Sequence, residues 1–487
     1  MIPSARPNAP LRLRRLPERL AAGRAIDAAE AFRDLPGLVL LESARPGRNA
    51  RWSYLTADPI AVLESPATGP DPFAVARRLV ARLDRTLVAP ADGLADTPPF
   101  LGGLVGFLGY DLGASLEHLP AIVPADQDLP PLRLALHDWV VAWDRRTGHA
   151  WLGGRALDGD ARRLARRLDD VHARLTTPGR TIACGDVDPS GRGLPDDAHA
   201  DPSLAFRSGM DRATYEAGVE RVREYIARGD IYQANLTRRL ETPFEADPWA
   251  LYRRLRTGDP SLFSAFVDLG PGPLTGRPRA LLSASPEPFL SVDPTGVVKT
   301  DPIKGTRPRG RTAVEDRGFA RDLLASAKDR AENVMIVDVL RNDLGRVCRP
   351  GTVRVPRLCR LERTAAVQHL VSTVTGVLAE GRDACDLLAA SFPGGSITGA
   401  PKIRAMEIIE GLEPVRRGPY TGAIGWIGPD GAMQTSIIIR TFVADGQRLT
   451  LHVGGGITWK SDPAAEWDET VTKARGPLGA IGGVEVE

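Results

Sequence analysis

The sequence predicts an α+β or mixed α/β chain rich in antiparallel sheet, with helices packed on the sheets. Three observations carry this. Strand-like and helical segments alternate along the chain, and no internal repeat interrupts them. Near the C-terminus, successive strands are joined by Asp430-Gly431 and Asp445-Gly446, both hairpin signals. The length of 487 residues, 43% of them hydrophobic, allows large buried cores and roughly two to four domains.

The elements follow in order. Gly37–Ser43 and Trp139–Trp143 read as strands and the Arg-rich Asp160–Leu175 as a helix. The stretch from Gly102 to Asp111 is too glycine-dense for a helix and reads as closely packed strand and turn. Residues 177–208 are rich in Gly, Pro, Asp and Ser and read as a linker between an N-terminal domain, 1–176, and a second domain, 209–487. The second part opens with a helix in which Tyr215, Val219, Val222 and Ile226 share a face, between an Asp211 cap and Gly229. Strands are expected at Ile231–Leu240, Val367–Val377, Tyr420–Ile427, Gln434–Val443 and Leu449–Val453, with a helix over Ile403–Leu412. A last helix starts at the cap Asp462 with Pro463 at its first position.

Composition excludes several classes. A net charge of +2 argues against a nucleic-acid binder living on electrostatics. Cys184, Cys348, Cys359 and Cys385 lack Cys-x-x-Cys spacing and histidine clustering, which argues against zinc or a disulfide scaffold and for reduced thiols in the cytoplasm. The basic start Leu11-Arg12-Leu13-Arg14-Arg15 has no apolar core behind it, and no run approaches the roughly 18 apolar residues of a membrane span.

Lysine is scarce: six residues against a Lys+Arg total of 63, all in the C-terminal part. An amine can lose its proton and attack carbon, which a guanidinium cannot. Lys304 stands between Pro302 and Gly305, a stiff, tight setting that suits a positioned amine. Attack requires the neutral form, so burial and neighbouring cations are expected around it.

Acids gather on two helices. Glu466, Glu469 and Lys473 fall on one face of the last helix, just after Gly454-Gly455-Gly456, whose bare amides could seat a carboxylate. Glu332 shares a face with Met335, Ile336 and Val339. A carboxylate on an apolar stripe is costly unless it is paired or holds a cation. Two such carboxylates, with oxygen ligands only, suit Mg²⁺; a buried Glu332–arginine pair is the alternative. The stretch Pro393–Lys402 is glycine-rich but lacks the Gly-Lys-Ser/Thr ending of a nucleotide loop, leaving a helix-start site for a carboxylate. His369 shares its strand face with Val367 and Val371, as a core histidine would.

Ordered along the chain stand Asp301-Pro302-Ile303-Lys304-Gly305-Thr306, Ala331-Glu332-Asn333, Leu340-Arg341-Asn342-Asp343, His369-Leu370-Val371-Ser372, Gly399-Ala400-Pro401-Lys402, Gly418-Pro419-Tyr420-Thr421-Gly422 and Asp468-Glu469-Thr470. Together they resemble the chorismate-utilising enzyme family over nearly the whole chain, most densely from Tyr215 to Arg475. The resemblance implies the family's antiparallel-sheet-rich chorismate-binding fold. It also implies Mg²⁺ on Glu332 and Glu469, with Asp329 and Glu466 behind them, facing the ring carboxylate of chorismate. Tyr420, Arg440, Lys473, Gly454, Gly455, Thr398 and Ala400 would bind substrate. Glu287 would be the general acid, and His369 counts with the catalytic residues. Members that activate water carry a lysine where this chain has Gln233, which leaves ammonia as the nucleophile. Lys304 resembles the branch that forms 4-amino-4-deoxychorismate through a covalent lysine, for para-aminobenzoate and folate. The anthranilate-forming branch, with alanine at that position, is the nearest alternative, and a non-catalytic ligand-binding member is another. No Gly-x-Cys-x-Gly glutaminase signature is present, so ammonia would come from a glutamine amidotransferase subunit. Leu41-Glu42-Ser43 resembles the family's tryptophan pocket.

Overall fold

Both faces of the strand Gly103–Leu108 are buried, which accounts for its unbroken apolar sequence. Leu104 and Leu108 pack on one side, Val105 and Phe107 on the other. Such a strand needs a sheet covered on both faces. The structure, a computed structural model describing residues 11–45, 50–83, 97–156, 160–177, 204–364 and 367–486, supplies one. Among the described residues, thirteen strands form one sheet and ten a second, antiparallel except where Gly483–Val486 runs parallel to Leu204–Ser208.

One apolar layer joins the sheets. Val39, Tyr54, Val140 and Leu281 of the larger meet Val105, Phe107, Ile424 and Trp426 of the smaller. Phe100 stacks on Trp426 at 4.9 Å, and Tyr54 meets Trp426 edge-on at 6.1 Å. Helices cover the outer faces. Ala161–Thr176, Pro248–Gly258 and Pro463–Ile481 lie over the larger sheet, Ala327–Gly345 and Ala384–Ser391 over the smaller. The expected mixed architecture, with helices on antiparallel sheets, is what is found.

The described residues of 1–176 and of 209–487 share both sheets. Val39–Glu42 pairs with Phe263–Pro271, and Gly103–Leu108 with Ala423–Ile427. Most of the expected linker, 178–203, lies outside the described residues, as does Cys184. Its last five residues are not linker: Leu204–Ser208 is a strand, held between Gln233–Pro243 and the C-terminal strand. Cys348, Cys359 and Cys385 are buried and free. No helix among the described residues is long and apolar enough to cross a membrane.

The expected strand Gln434–Val443 is in fact two. Met433–Ile437 belongs to the smaller sheet and Thr441–Ala444 to the larger. The chain crosses between layers at Ile438–Arg440, where Arg440 takes φ +48°. Continuous apolar sequence reads as one strand, whereas here it serves two sheets in turn. The neighbouring strand starts at Ala423 rather than Tyr420, because Thr421 turns the chain with φ +59°.

Candidate active site

The crossing point, a bulge and two acidic helices enclose a cavity of about 570 Å³. The bulge comes first. Ile303–Pro308 pairs with Val367–Val377 in a register that slips by one residue between Lys304 and Thr306. Gly305 is the extra residue, at φ +73°. A Cβ there would stand 2.9 Å from Asp329 Cβ, so only glycine permits both the turn and the close approach to helix Ala327–Gly345. Lys304, just before the slip, is aimed into the cavity.

That helix starts at Ser326, which accepts from the Asp329 amide, and turns Lys328, Asp329 and Glu332 towards the same space. On the opposite wall Asp462 caps the last helix, accepting from Ala465 N at 2.9 Å, and Glu466, Glu469 and Lys473 face inward. Gly455 runs beneath them: a Cβ on it would lie 3.0 Å from Glu466 Oε2.

The acids differ by their surroundings. Glu332 is pushed above the usual carboxylate range by burial, against the pull of Lys304 and Lys328, and its Oε1 is buried without a hydrogen-bond partner. Burial likewise raises Glu466, with Ser461 and Lys328 opposing. Burial would raise Glu469 too, but the Lys473 amine at 2.7 Å outweighs it and Glu469 falls below the usual range. The Lys328 amine stands 4.0 Å from both Glu332 and Glu466. Among the described residues no arginine pairs with Glu332; its cationic neighbour there is Lys328 rather than the arginine raised from the sequence. Asp329 is held by Arg307 at 3.1 Å.

Glu287 is buried and therefore holds its proton to higher pH than a free carboxyl, although Lys304 and Ser396 oppose this. Ser396 links the two groups: Lys304 Nζ donates to its carbonyl at 3.2 Å, and its hydroxyl donates to Glu287 Oε1 at 3.2 Å. The cations expected near Lys304 share the cavity with acids: Glu287, Glu332 and Glu469 feel its charge, and Lys328 or Lys473 acts on each of them as well. His369 lines the cavity beside Thr306, ring Nδ1 and hydroxyl 3.0 Å apart. Burial, with Arg440 and Arg45 nearby, lowers it to about 4, so it is neutral at pH 7. Tyr420 stacks on His452 at 4.8 Å, Arg440 reaches Asp259 at 4.0 Å, and Lys473 donates to Gly454 O at 2.7 Å.

Thr398 and Ala400 do not line the cavity. Gly399-Ala400 pairs with Gln233-Ala234, which turns the chain away after Ile397. Thr398 is buried and bonded to Gly394 O, and Ala400 faces a separate groove beside Asp338 and Lys402. Gln233 is buried behind Gly456. Sequence reasoning missed Ser396, Arg307, Asn235 and Lys328; for Lys328 the signal was present, one helical turn before Glu332. It also missed Arg417, which is buried and donates to Glu413, Ile397 O, Thr421 and Asn235 O. Leu41, Glu42 and Ser43 line a second cavity of about 400 Å³, and there Glu42 is held by Tyr252 and Arg256.

A cavity with a positioned amine, a carboxyl raised by burial and facing acids and cations defines an enzyme site for a small anionic molecule. The chain belongs to the chorismate binding enzyme family, whose sequence profile matches residues 39–479. It is 42% identical to the anthranilate synthase component 1 of Streptomyces coelicolor, over 92% of this chain and 84% of that protein. It is 39% identical to the aminodeoxychorismate synthase component 1 of Salmonella typhimurium, over 92% and 94%. The solved anthranilate synthase component I of Streptococcus pneumoniae matches with a TM-score of 0.73 at 30% identity, over 89% of this chain and 93% of that one.

Replacing Arg417 by methionine should destabilise the protein by about 3–5 kcal/mol in urea unfolding, because the Glu413 charge stays buried without its partner. Gly305→Ala should cost about 1–3 kcal/mol in the same measurement, from the positive φ and the contact with Asp329.

Proposed function

We propose that this chain aminates chorismate at C4, giving 4-amino-4-deoxychorismate, with Lys304 as nucleophile and Glu287 as general acid. The observation that carries the reading is the meeting of both groups on Ser396, which sets an amine and a proton-holding carboxyl on one wall of one cavity. Relatives named aminodeoxychorismate synthase component 1 support it.

Lys304, as the free amine, bonds to ring C2; both conjugated ring double bonds shift and the C4–O bond breaks, with Glu287 giving the proton that lets the hydroxyl leave as water. Ammonia then bonds to C4, both double bonds shift back, and the C2–N bond breaks to restore Lys304. Glu287, donor and acceptor by turns, carries protons between the amines, so the net change is ammonia in and water out. Neutral His369 can hold a hydrogen bond without adding charge.

Five carboxyl groups and five Lys or Arg cations line the cavity, so a dicarboxylate substrate enters most readily with a divalent cation. Among the described residues no three His, Cys, Asp or Glu side chains are placed to hold a metal alone. Mg²⁺ keeps several waters and takes only one or two protein carboxylates. Glu332, with its unpartnered oxygen, and Glu469 would hold it, with Asp329 and Glu466 behind. The chemistry a bound Mg²⁺ supplies is positive charge at the ring carboxylate, which makes C2 electrophilic. Lys473, Arg440, Tyr420 and the Gly454 and Gly455 backbone would receive substrate carboxylates. The "component 1" in relatives' names supports a partner subunit, here a glutamine amidotransferase supplying ammonia in the cytoplasm. Tryptophan is the proposed occupant of the cavity beside Leu41–Ser43.

The second reading, anthranilate formation, is favoured by the 42% identity to the Streptomyces coelicolor protein. Chorismate, Mg²⁺ and ammonium salts should yield aminodeoxychorismate, and a fluorescent anthranilate product would select the second reading. Lys304→Ala should slow turnover about a hundredfold or more and abolish a mass-detected lysine adduct; an undiminished rate overturns the covalent role.

The proton on Glu287 sets the pH response. Its pKa is raised and the protonated form is the active one, so turnover should fall as pH rises through that value. Glu287→Gln should lack this limb in a pH–rate profile. Burial raises Glu332 and Glu466, and a cation binds their ionised forms, so Mg²⁺ affinity measured by calorimetry should rise with pH through their raised pKa values.

A further inference from the structure

The strand that carries Lys304 is interrupted on both sides of it. Val297–Thr300 and Ile303–Pro308 pair with the same strand, Val367–Val377, in one register: Thr300 lies opposite Val374 and Ile303 opposite Val371. Asp301 therefore lies opposite Thr373, and Pro302 opposite Ser372. Ser372 N donates to Pro302 O at 3.1 Å, but proline has no N–H to return, so one bond of that pair is missing. Two residues beyond Lys304 the register has already slipped at Gly305. Backbone bonding alone thus leaves Lys304 between a gap and a bulge.

A side-chain bond stands beside the gap. Thr373 Oγ1 donates to Asp301 Oδ1 at 2.6 Å, across the strands. Asp301 is buried, and a buried carboxylate is costly without a counter-charge. Lys299, two residues earlier and so on the same face, supplies one at 2.5 Å from Oδ2. We propose that the Asp301–Thr373 bond, charge-balanced by Lys299, is a positioning device that fixes the register of Lys304 against Leu370 and so holds its amine at Ser396. The device rests on the reading of Lys304 as nucleophile for its effect on rate, but not for its effect on where the amine lies.

The test compares Asp301→Ala, Asp301→Asn and Thr373→Val in the full chain. Thr373→Val is nearly isosteric and keeps the experiment decisive if Asp301→Ala does not fold. Loss of the bond should lower kcat about tenfold to a hundredfold, since small displacements of a reacting group cost that much. KM for chorismate should stay within about threefold, because no substrate contact is removed. Asp301→Asn keeps an acceptor for the Thr373 hydroxyl and should recover most of the kcat lost in Asp301→Ala. Independently of turnover, the labelling rate of Lys304 by acetic anhydride, read by peptide mass spectrometry, should change in Asp301→Ala and Thr373→Val. Folded Asp301→Ala or Thr373→Val proteins with unaltered kcat and unaltered Lys304 labelling would overturn the proposal. If Lys304→Ala keeps full turnover, the catalytic reading fails, and the labelling rates alone decide the positioning claim.

Discussion

The site depends first on one buried ion pair. Arg417 has five N–H donors, and five acceptors meet them: both oxygens of Glu413, the carbonyls of Asn235 and Ile397, and the Thr421 hydroxyl. Glu413 in turn accepts from the Thr237 amide and hydroxyl. A guanidinium and a carboxylate taken from water are stable only when such satisfaction is complete. What the pair joins is the long strand Gln233–Pro243, the turn at Ile397 and the turn at Thr421. Ser396 is the next residue on that first turn, and it carries the contacts of Lys304 and Glu287. The geometry of Lys304 and Glu287 is therefore set from beneath by a pair that touches neither.

Burial then differentiates the carboxyls. Glu287 and Glu332 are both raised, but their neighbours separate them: the Ser396 hydroxyl donates to one, while the other keeps a buried oxygen without a hydrogen bond, 4.0 Å from the Lys328 amine. Glu469, nearer water and paired with Lys473, is ionised most easily. One residue type thus provides carboxyls raised by burial on two walls and one, Glu469, lowered by its lysine.

Much of this was legible in the sequence because its signals are local. The Asp462 cap, Pro463 and the spacing of Glu466, Glu469 and Lys473 define a helix face without reference to anything distant. Gly305 beside Lys304 marked a tight segment, and the bulge bears that out. What escaped depends on partners far along the chain. Three of Arg417's partners, Asn235, Ile397 and Glu413, come from three segments, and two of those contacts are to backbone carbonyls, which carry no sequence signature. The break at Arg440 escaped because a segment that passes between two apolar layers has the same composition as one strand buried on both faces. Thr398 and Ala400 were misplaced for a related reason: a two-residue pairing with Gln233-Ala234 turned the chain outward.

Lysine usage follows the same physics. Arginine serves most surface pairs, where its planar fork suits a carboxylate. Five of the six lysines sit where a compact charge is needed: Lys299 on buried Asp301, Lys402 between Asp343 and the Ser391 carbonyl, Lys328 between two acids, Lys473 on Glu469, and Lys304 on Ser396. Lys460 is the exposed exception. Among the three lysines of the active cavity, Lys328 and Lys473 have a carboxylate within 4.0 Å, whereas the amine of Lys304 is bonded to a neutral carbonyl. An ammonium locked to a carboxylate stays a counter-ion. Of the cavity's lysines among the described residues, Lys304 is the one whose amine rests on a carbonyl instead, and that placement is what suits it to the proposed attack on carbon.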